Sequence, residues 1–490
     1  MKRQLCSYII LFLLLLVLPF LFFHGWQSAV KMEENADEVR KEAVVSASAS
    51  SADGKSEKTG SAQEAEEASQ DHQNVMYAPN VTAKMYQPEY WLLQCSDPDQ
   101  LLMTEKEIHK LNKEIIGDIN LAYNIFSEEF RREFLNTASR METWENAGKE
   151  VVSWGNFGYA ICVKRTEIKE FPQEQPLGED PYFDENLLTT ARTNTPMLVD
   201  GQTEDGIYYH VICYDYQGWA LAENVALCAG LEQWEQLAAS AGWAEFIADS
   251  ADVDTQSVFL TVTVPRLRME ITGELLTMGT TMRLLTVEEA EKVLVPGSFL
   301  GCYVAELAGR TEEGMYEPRY EAIPVSSGVV KGYMNFTRER LVEQMFLFLG
   351  NAYGWGNSQE SVDCSGLVQD VLSSFGIRMP RDAKEQQQVP LSRITFTPSM
   401  GKAEREEILN LLSPGDILYF PGHIMFYLGR ADGEYYVLNA ASSMKAPGAS
   451  EEELLTVRRV IVNSLSMERR NGSSWMQELE RAVCCCSRIS

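Results

Sequence analysis

Residues 351–386 read NAYGWGNSQESVDCSGLVQDVLSSFGIRMPRDAKEQ. Gly354, Gly356, Asn357 and Ser358 disfavour regular structure ahead of Asp363. Beyond it, Leu367, Val368, Val371, Leu372 and Phe375 recur at helical spacing, and Gly376 supplies a stop. The stretch predicts a turn-rich loop that delivers Cys364 to the first turn of a helix. There the thiol meets the positive end of the helix dipole and backbone N–H groups with no intrahelical partner. Such an environment lowers a thiol pKa and offers hydrogen bonds to a developing oxyanion. Taken alone, a single cysteine is more often a small buried hydrophobe, so its neighbours decide.

A nucleophilic cysteine needs a base, and the chain has five histidines. His24, His72, His109 and His210 lie in the first half, which leaves His423. It stands in SPGDILYFPGHIMFYLGRADGEYYVLNAASS, which reads as three antiparallel strands at 417–420, 424–428 and 435–439. A turn centred on Ala431, Asp432 and Gly433 folds the last two together and places Asn439 within about one residue of opposite His423. An amide oxygen there can accept one imidazole N–H and hold the other ring nitrogen toward the thiol. Cys364, His423 and Asn439 are therefore candidates for a Cys-His-Asn triad.

Five segments together resemble the NlpC/P60 cysteine peptidases: YGWG from Tyr353, DCSGLV from Asp363, FGIRMPRD from Phe375, PGDILYF from Pro414 and GHIMFYLG from Gly422. The resemblance covers roughly residues 332–465. It implies an α+β fold with a papain-like catalytic domain that cuts peptidoglycan stem peptides, with Cys364 as nucleophile and His423 as base. Asn439 takes the orienting position where many members have a second histidine. Tyr353 is implied to assist the oxyanion hole. One branch carries two SH3b-like barrels before the peptidase, hydrolyses the γ-D-glutamyl–diamino acid bond, and prefers a free N-terminal L-Ala. Asp363 and Ser365 match the positions that flank the cysteine and bind that amine.

Residues 1–30 open with Lys2 and Arg3 and then run without charge from Gln4 to Phe23, which predicts a signal-anchor or a cleaved signal peptide. Residues 31–75 hold no aromatic residue and cannot bury enough apolar surface to fold, so 31–80 reads as a tether. A helical lead-in is expected over 81–149, where Thr104 and Glu107 form a capping box. Short strands at 196–199, 207–213 and 219–221, then at 258–264, 281–285 and 302–307, suggest two small SH3-like barrels at 150–245 and 246–330. Thr337 caps a further helix that opens the peptidase domain, 331–490.

The net charge of −29 argues against nucleic acid and against anionic lipid surfaces as partners. Cys95, Cys162, Cys213, Cys228 and Cys302 lack metal-ligand spacing, and Cys484–Cys486 are consecutive, a pattern without a physical explanation here. No phosphate loop or histidine cluster is present, so neither cofactor nor catalytic metal is expected. The expected setting is extracytoplasmic, membrane-anchored or secreted, as a monomer acting on wall peptides or muropeptides. The competing readings are a wall-binding protein with a degenerate peptidase domain, and a related cysteine amidase or acyltransferase.

Overall fold

The computed structural model describes residues 75–120, 123–137, 151–180, 183–247, 258–295 and 297–485. The expected anchor, nearly all of the tether, Cys6 and Cys486 lie outside the described residues. Among the described residues no helix is long and apolar enough to cross a membrane.

The lead-in contributes helices Pro88–Leu92, Glu105–Glu114 and Glu128–Thr137. Thr104 and Glu107 cap the second reciprocally, as their spacing requires. Its apolar face does not form a core of its own. Trp91, Leu111 and Ile115 are buried in one cluster with Val368, Phe375 and Leu438 from the C-terminal part of the chain. His109 is partly exposed and pairs with Glu245 at 2.9 Å.

Strands follow as β1 Val151–Cys162, β2 Thr166–Lys169, β3 Leu187–Ala191, β4 Pro196–Thr203, β5 Tyr208–Ile212, β6 Gln217–Leu221 and β7 Val225–Leu227. They make one antiparallel sheet in the order β3-β2-β6-β5-β4-β1-β7. Next come β8 Phe259–Val262, β9 Arg266–Arg268, β10 Leu275–Thr277, β11 Thr281–Leu284, β12 Cys302–Arg310, β13 Tyr316–Pro324 and β14 Val329–Lys331. Five of these form a second sheet, β13-β12-β11-β8-β14, while β9 and β10 pair separately. Both sheets are open: no closed barrel is found among the described residues, because the edge strands do not pair with one another. The sheets are joined through buried Asn194, which donates to Thr281 O at 2.9 Å and accepts from Ala308 N at 2.8 Å.

The last sheet contains β15 Ser392–Thr395, β16 Ile417–Phe420, β17 His423–Ala431, β18 Glu434–Met444, β19 Leu455–Ser464 and β20 Arg481–Cys484. Its order is β15-β20-β16-β17-β18-β19. One face packs on helix Cys364–Ser373, helix Arg338–Phe346 and the lead-in. The other packs on Leu409, Leu412, Trp475 and Met476. Both faces are covered, so β16 to β18 read as near-continuous apolar runs and not as alternation. Thr337 caps helix Arg338–Phe346 by accepting from Arg340 N.

Candidate active site

Cys364 is the first residue of its helix, and Asp363 is the N-cap. The loop before it turns through left-handed conformations, with Asn357 at φ 62°. Asn357 Oδ1 accepts from Asp363 N at 3.0 Å. A Cβ on Gly366 would collide with that same Asn357 side chain, which is the steric reason for glycine there. The Asp363 carboxylate accepts from Gly366 N at 2.7 Å, Gly356 N at 3.0 Å and Ser365 Oγ at 3.2 Å. Arg381 grips it from the other side, with Nη2 at 2.6 Å and Nη1 at 3.2 Å. A charge this buried needs such pairing. Ser365 Oγ also accepts from Arg381 Nη1 at 2.8 Å.

His423 and Asn439 are brought together by a break in the strand ladder. From the turn outward, Ala431 pairs with Glu434 and Gly429 with Tyr436; beyond that the pairing shifts so that Tyr427 meets Val437. Leu428 is the extra residue of a β-bulge, and Gly429 beside it has φ 131°. Side chains alternate faces along a strand, so a one-residue shift moves a side chain to the other face. With the bulge, Asn439 falls beside Met425, two residues from His423 and on its face. Without it, Asn439 would fall beside Phe426, on the opposite face. The sequence placed Asn439 within one residue of opposite His423; it is instead a diagonal neighbour, a separation that side chains can bridge. His423 Nε2 and Asn439 Oδ1 are 2.9 Å apart. Asn439 is fully buried and donates from Nδ2 to Asn463 Oδ1 at 2.7 Å, while Asn463 donates to Ser464 O at 3.0 Å. This chain of amides fixes Asn439 Oδ1 as the acceptor, so Nε2 carries the proton and Nδ1 is bare.

The Cys364 sulfur lies within reach of the backbone amides of Ser365 and Ile424, the residue after His423. The Cys364 and His423 side chains each keep some exposure to solvent. Burial pushes the Cys364 thiol up to about 12, and the Asp363 charge adds to this. Burial also holds His423 down at about 4, against the opposing hydrogen bond to Asn439. The helix N-terminus does favour the thiolate, as its position predicts, but desolvation outweighs it. The resting pair is neutral thiol and neutral imidazole. Tyr353 adjoins Cys364, and burial raises its phenol, so it stays an O–H donor.

The first sheet reaches this loop directly. Trp355 Nε1 donates to Leu187 O at 3.0 Å, its ring meets Phe183 at 4.2 Å, and Arg381 Nε donates to Thr189 Oγ1 at 2.7 Å. Arg165 donates to Asn357 O, and Arg192 pairs with Asp370 on the cysteine helix.

The family model for the NlpC/P60 family matches residues 350–460, which span every candidate side chain just described. Residues 350–460 are an NlpC/P60 domain. Dipeptidyl-peptidase 6 of Lysinibacillus sphaericus is 31% identical over 94 residues, 19% of this chain and 30% of that protein. The bifunctional muramidase/DL-endopeptidase CwlT of Bacillus subtilis is 42% identical over 59 residues, 12% of this chain and 18% of that one. The chain thus aligns with less than a third of either relative. An NlpC/P60 endopeptidase of Photobacterium damselae subsp. piscicida shares the fold, with a TM-score of 0.61 over 85% of this chain and all of that one, at 15% identity.

Sequence reasoning missed three residues that shape the NlpC/P60 site. Arg381 stands in the quoted PRD segment, but its partner Asp363 lies on a separate segment, so no local pattern marks the pairing. Asn463 and Trp475 lie beyond the matched stretch, and no local pattern marks them. Trp475 meets the His423 ring at 5.3 Å and Phe420 at 5.5 Å, so the imidazole sits between aromatic walls.

Proposed function

We propose that the protein is a cysteine peptidase that hydrolyses peptidoglycan stem peptides at the bond between γ-D-glutamate and a diamino acid, meso-diaminopimelate or L-lysine. The observation that carries this reading is the oriented His423–Asn439 pair, on the strand whose Ile424 amide reaches the Cys364 sulfur. The names of the two relatives, a DL-endopeptidase and a dipeptidyl-peptidase, support the substrate class. Cys364 attacks the amide carbonyl while bare Nδ1 of His423 takes the thiol proton. Backbone amides beside Cys364 and the Tyr353 hydroxyl hold the oxyanion. Its collapse breaks the C–N bond, and the amine departs with the proton from His423. Water then attacks the thioester with His423 as base, which releases the acid and restores the thiol.

The two open sheets are read as SH3b-like modules, and the first closes the acyl end of the groove through Leu187 and Thr189. Asp363 and Ser365 form the polar flank for a free N-terminal L-Ala amine, although Arg381 already occupies the Asp363 carboxylate. Residues 1–30 hold this monomer outside the cytoplasm, against the wall. The test incubates the full-length protein with L-Ala-γ-D-Glu-meso-diaminopimelate and its N-acetylated counterpart, with Cys364→Ala as blank and mass spectrometry as readout. Release of L-Ala-D-Glu, lost in the variant, is the expected result. Equal cleavage of both peptides would assign Asp363 to structure alone. No cleavage by folded protein would favour a wall-binding protein with a silent site.

A further inference from the structure

Next to His423 lies a cavity of about 440 Å³, and Cys364 is not among the residues that line it. His423, Phe420 and Trp475 line it together with the apolar Met444 and Leu454 and the turn Arg469–Arg470–Asn471. That turn lies beyond the stretch matched to the NlpC/P60 family.

The charges around the cavity do not cancel. Glu468 is neutralised by Lys445 at 3.2 Å and accepts from Gly448 N at 2.9 Å. Arg469 stacks 5.0 Å over Phe420, donates to Pro421 O at 3.3 Å and pairs with Glu478 at 3.2 Å. Asn471 also donates to Glu478, at 3.2 Å, so one carboxylate braces the turn at two points. Arg470 is exposed at the cavity and makes no ion pair among the described residues. On a chain of net charge −29, this leaves a locally cationic rim beside the candidate base. The Arg469 charge reaches His423 and is one of the influences that keep the imidazole neutral.

The chemistry of amide cleavage says which part of a substrate meets this rim. The base must hand its proton to the departing nitrogen, so that nitrogen lies within hydrogen-bond reach of His423. Whatever is attached to the nitrogen extends from His423 away from Cys364, and the cavity opens there. We propose that this cavity is the leaving-group subsite, and that Arg470, held in place by the braced Arg469 turn, selects a leaving amine that carries a carboxylate. A diamino acid released from γ-D-glutamate is such an amine, with an aliphatic chain to lie on Met444 and Leu454. The inference rests on the cysteine-peptidase reading above. An anionic stem peptide approaching an acidic protein is otherwise repelled, so one unpaired guanidinium has a large share in its capture.

The test uses the full-length protein and two tripeptides, L-Ala-γ-D-Glu-meso-diaminopimelate and the same peptide with both diaminopimelate carboxyls converted to carboxamides. Wild-type kcat/KM should favour the carboxylate peptide by about tenfold or more, the usual scale of a charge-assisted hydrogen bond. Arg470→Gln should narrow that ratio to within about threefold, chiefly through KM, and Arg470→Lys should restore part of it. Raising the salt concentration should also erode the preference. A wild-type ratio near one, or a ratio unchanged in Arg470→Gln with the same melting midpoint, overturns the subsite and leaves the peptidase reading intact. Failure to cleave either peptide overturns that reading, and the subsite with it.

Discussion

Cys364 and His423 both rest as neutral groups because desolvation makes charging either one cost more than the helix N-terminus or Asn439 returns. His423 is held near 4 in the folded chain and titrates near 6.5 when unfolded. The unfolded chain therefore binds a proton between those values that the folded chain refuses. This histidine's contribution to stability is whole above about pH 6.5 and is lost as the pH falls toward 4. For activity, the base stays available well below the ordinary histidine range. We expect the acid limb of kcat/KM near pH 4 to 5, and no titration step in Cys364 alkylation between about pH 5 and 9. A shared inflection near pH 6 to 7 would mean that the pair rests as thiolate and imidazolium. The cysteine, the histidine and the amide were all legible as residue types. Their protonation states were not, because desolvation depends on what packs around them.

Among the elements, the β17–β18 hairpin carries the geometric decision. The bulge at Leu428 puts His423 and Asn439 on one face, and Gly429 adopts the left-handed φ that the bulge needs. A Cβ at Gly429 would also collide with Gln94, whose Oε1 accepts from Arg430 N at 3.1 Å. The lead-in thus braces the bulge from outside. Gly429→Ala should destabilise the fold by about 1–3 kcal/mol and lower kcat/KM at least tenfold by turning the imidazole from Asn439. Urea denaturation and peptide cleavage check the two effects, and a variant with wild-type values for both would show that the bulge is dispensable. The strands themselves were visible as apolar runs between turn residues. The bulge was not, since LG within an apolar strand carries no sign of two residues opposing one.

For the molecule as a whole, the first sheet reaches the site loop while the lead-in packs on the β17–β18 hairpin. Trp91 is fully buried, donates from Nε1 to Met85 O at 2.9 Å and lies 5.5 Å from the Tyr436 ring on β18. The lead-in is therefore part of the core that carries the candidate site and not an appendage. Trp91→Ala should cost about 3–5 kcal/mol, seen as a lower urea midpoint at unchanged slope. A loss under about 1 kcal/mol would show that the lead-in folds separately. The expected barrels fared differently. Strands at 196–199, 219–221 and 281–285 were anticipated nearly in place, yet β1, the longest strand, was missed along with β2, β3 and β13. VVSWGNFGYAIC alternates poorly: Ala160 and Ile161 pair with β4 on one side and β7 on the other, and the β4 register breaks between Ser153 and Gly158.

The sequence by itself determined the local chemistry. It placed a cysteine at a helix N-terminus behind an aspartate cap, a histidine at the head of a strand, a capping box at Thr104 and an N-cap at Thr337. Hydrogen bonds and dihedral preferences across a few residues govern such features, so they are written in a few residues. Only the tertiary structure decided that Arg381 would neutralise Asp363, that Thr189 from the first sheet would hold Arg381, and that Asn463 would orient Asn439. It alone set Arg470, which makes no ion pair among the described residues, against the cavity beside His423. Each of these joins residues from separate segments of the chain, and their pairing is enforced by the cost of burying polar groups unsatisfied, which exists only once the core has closed.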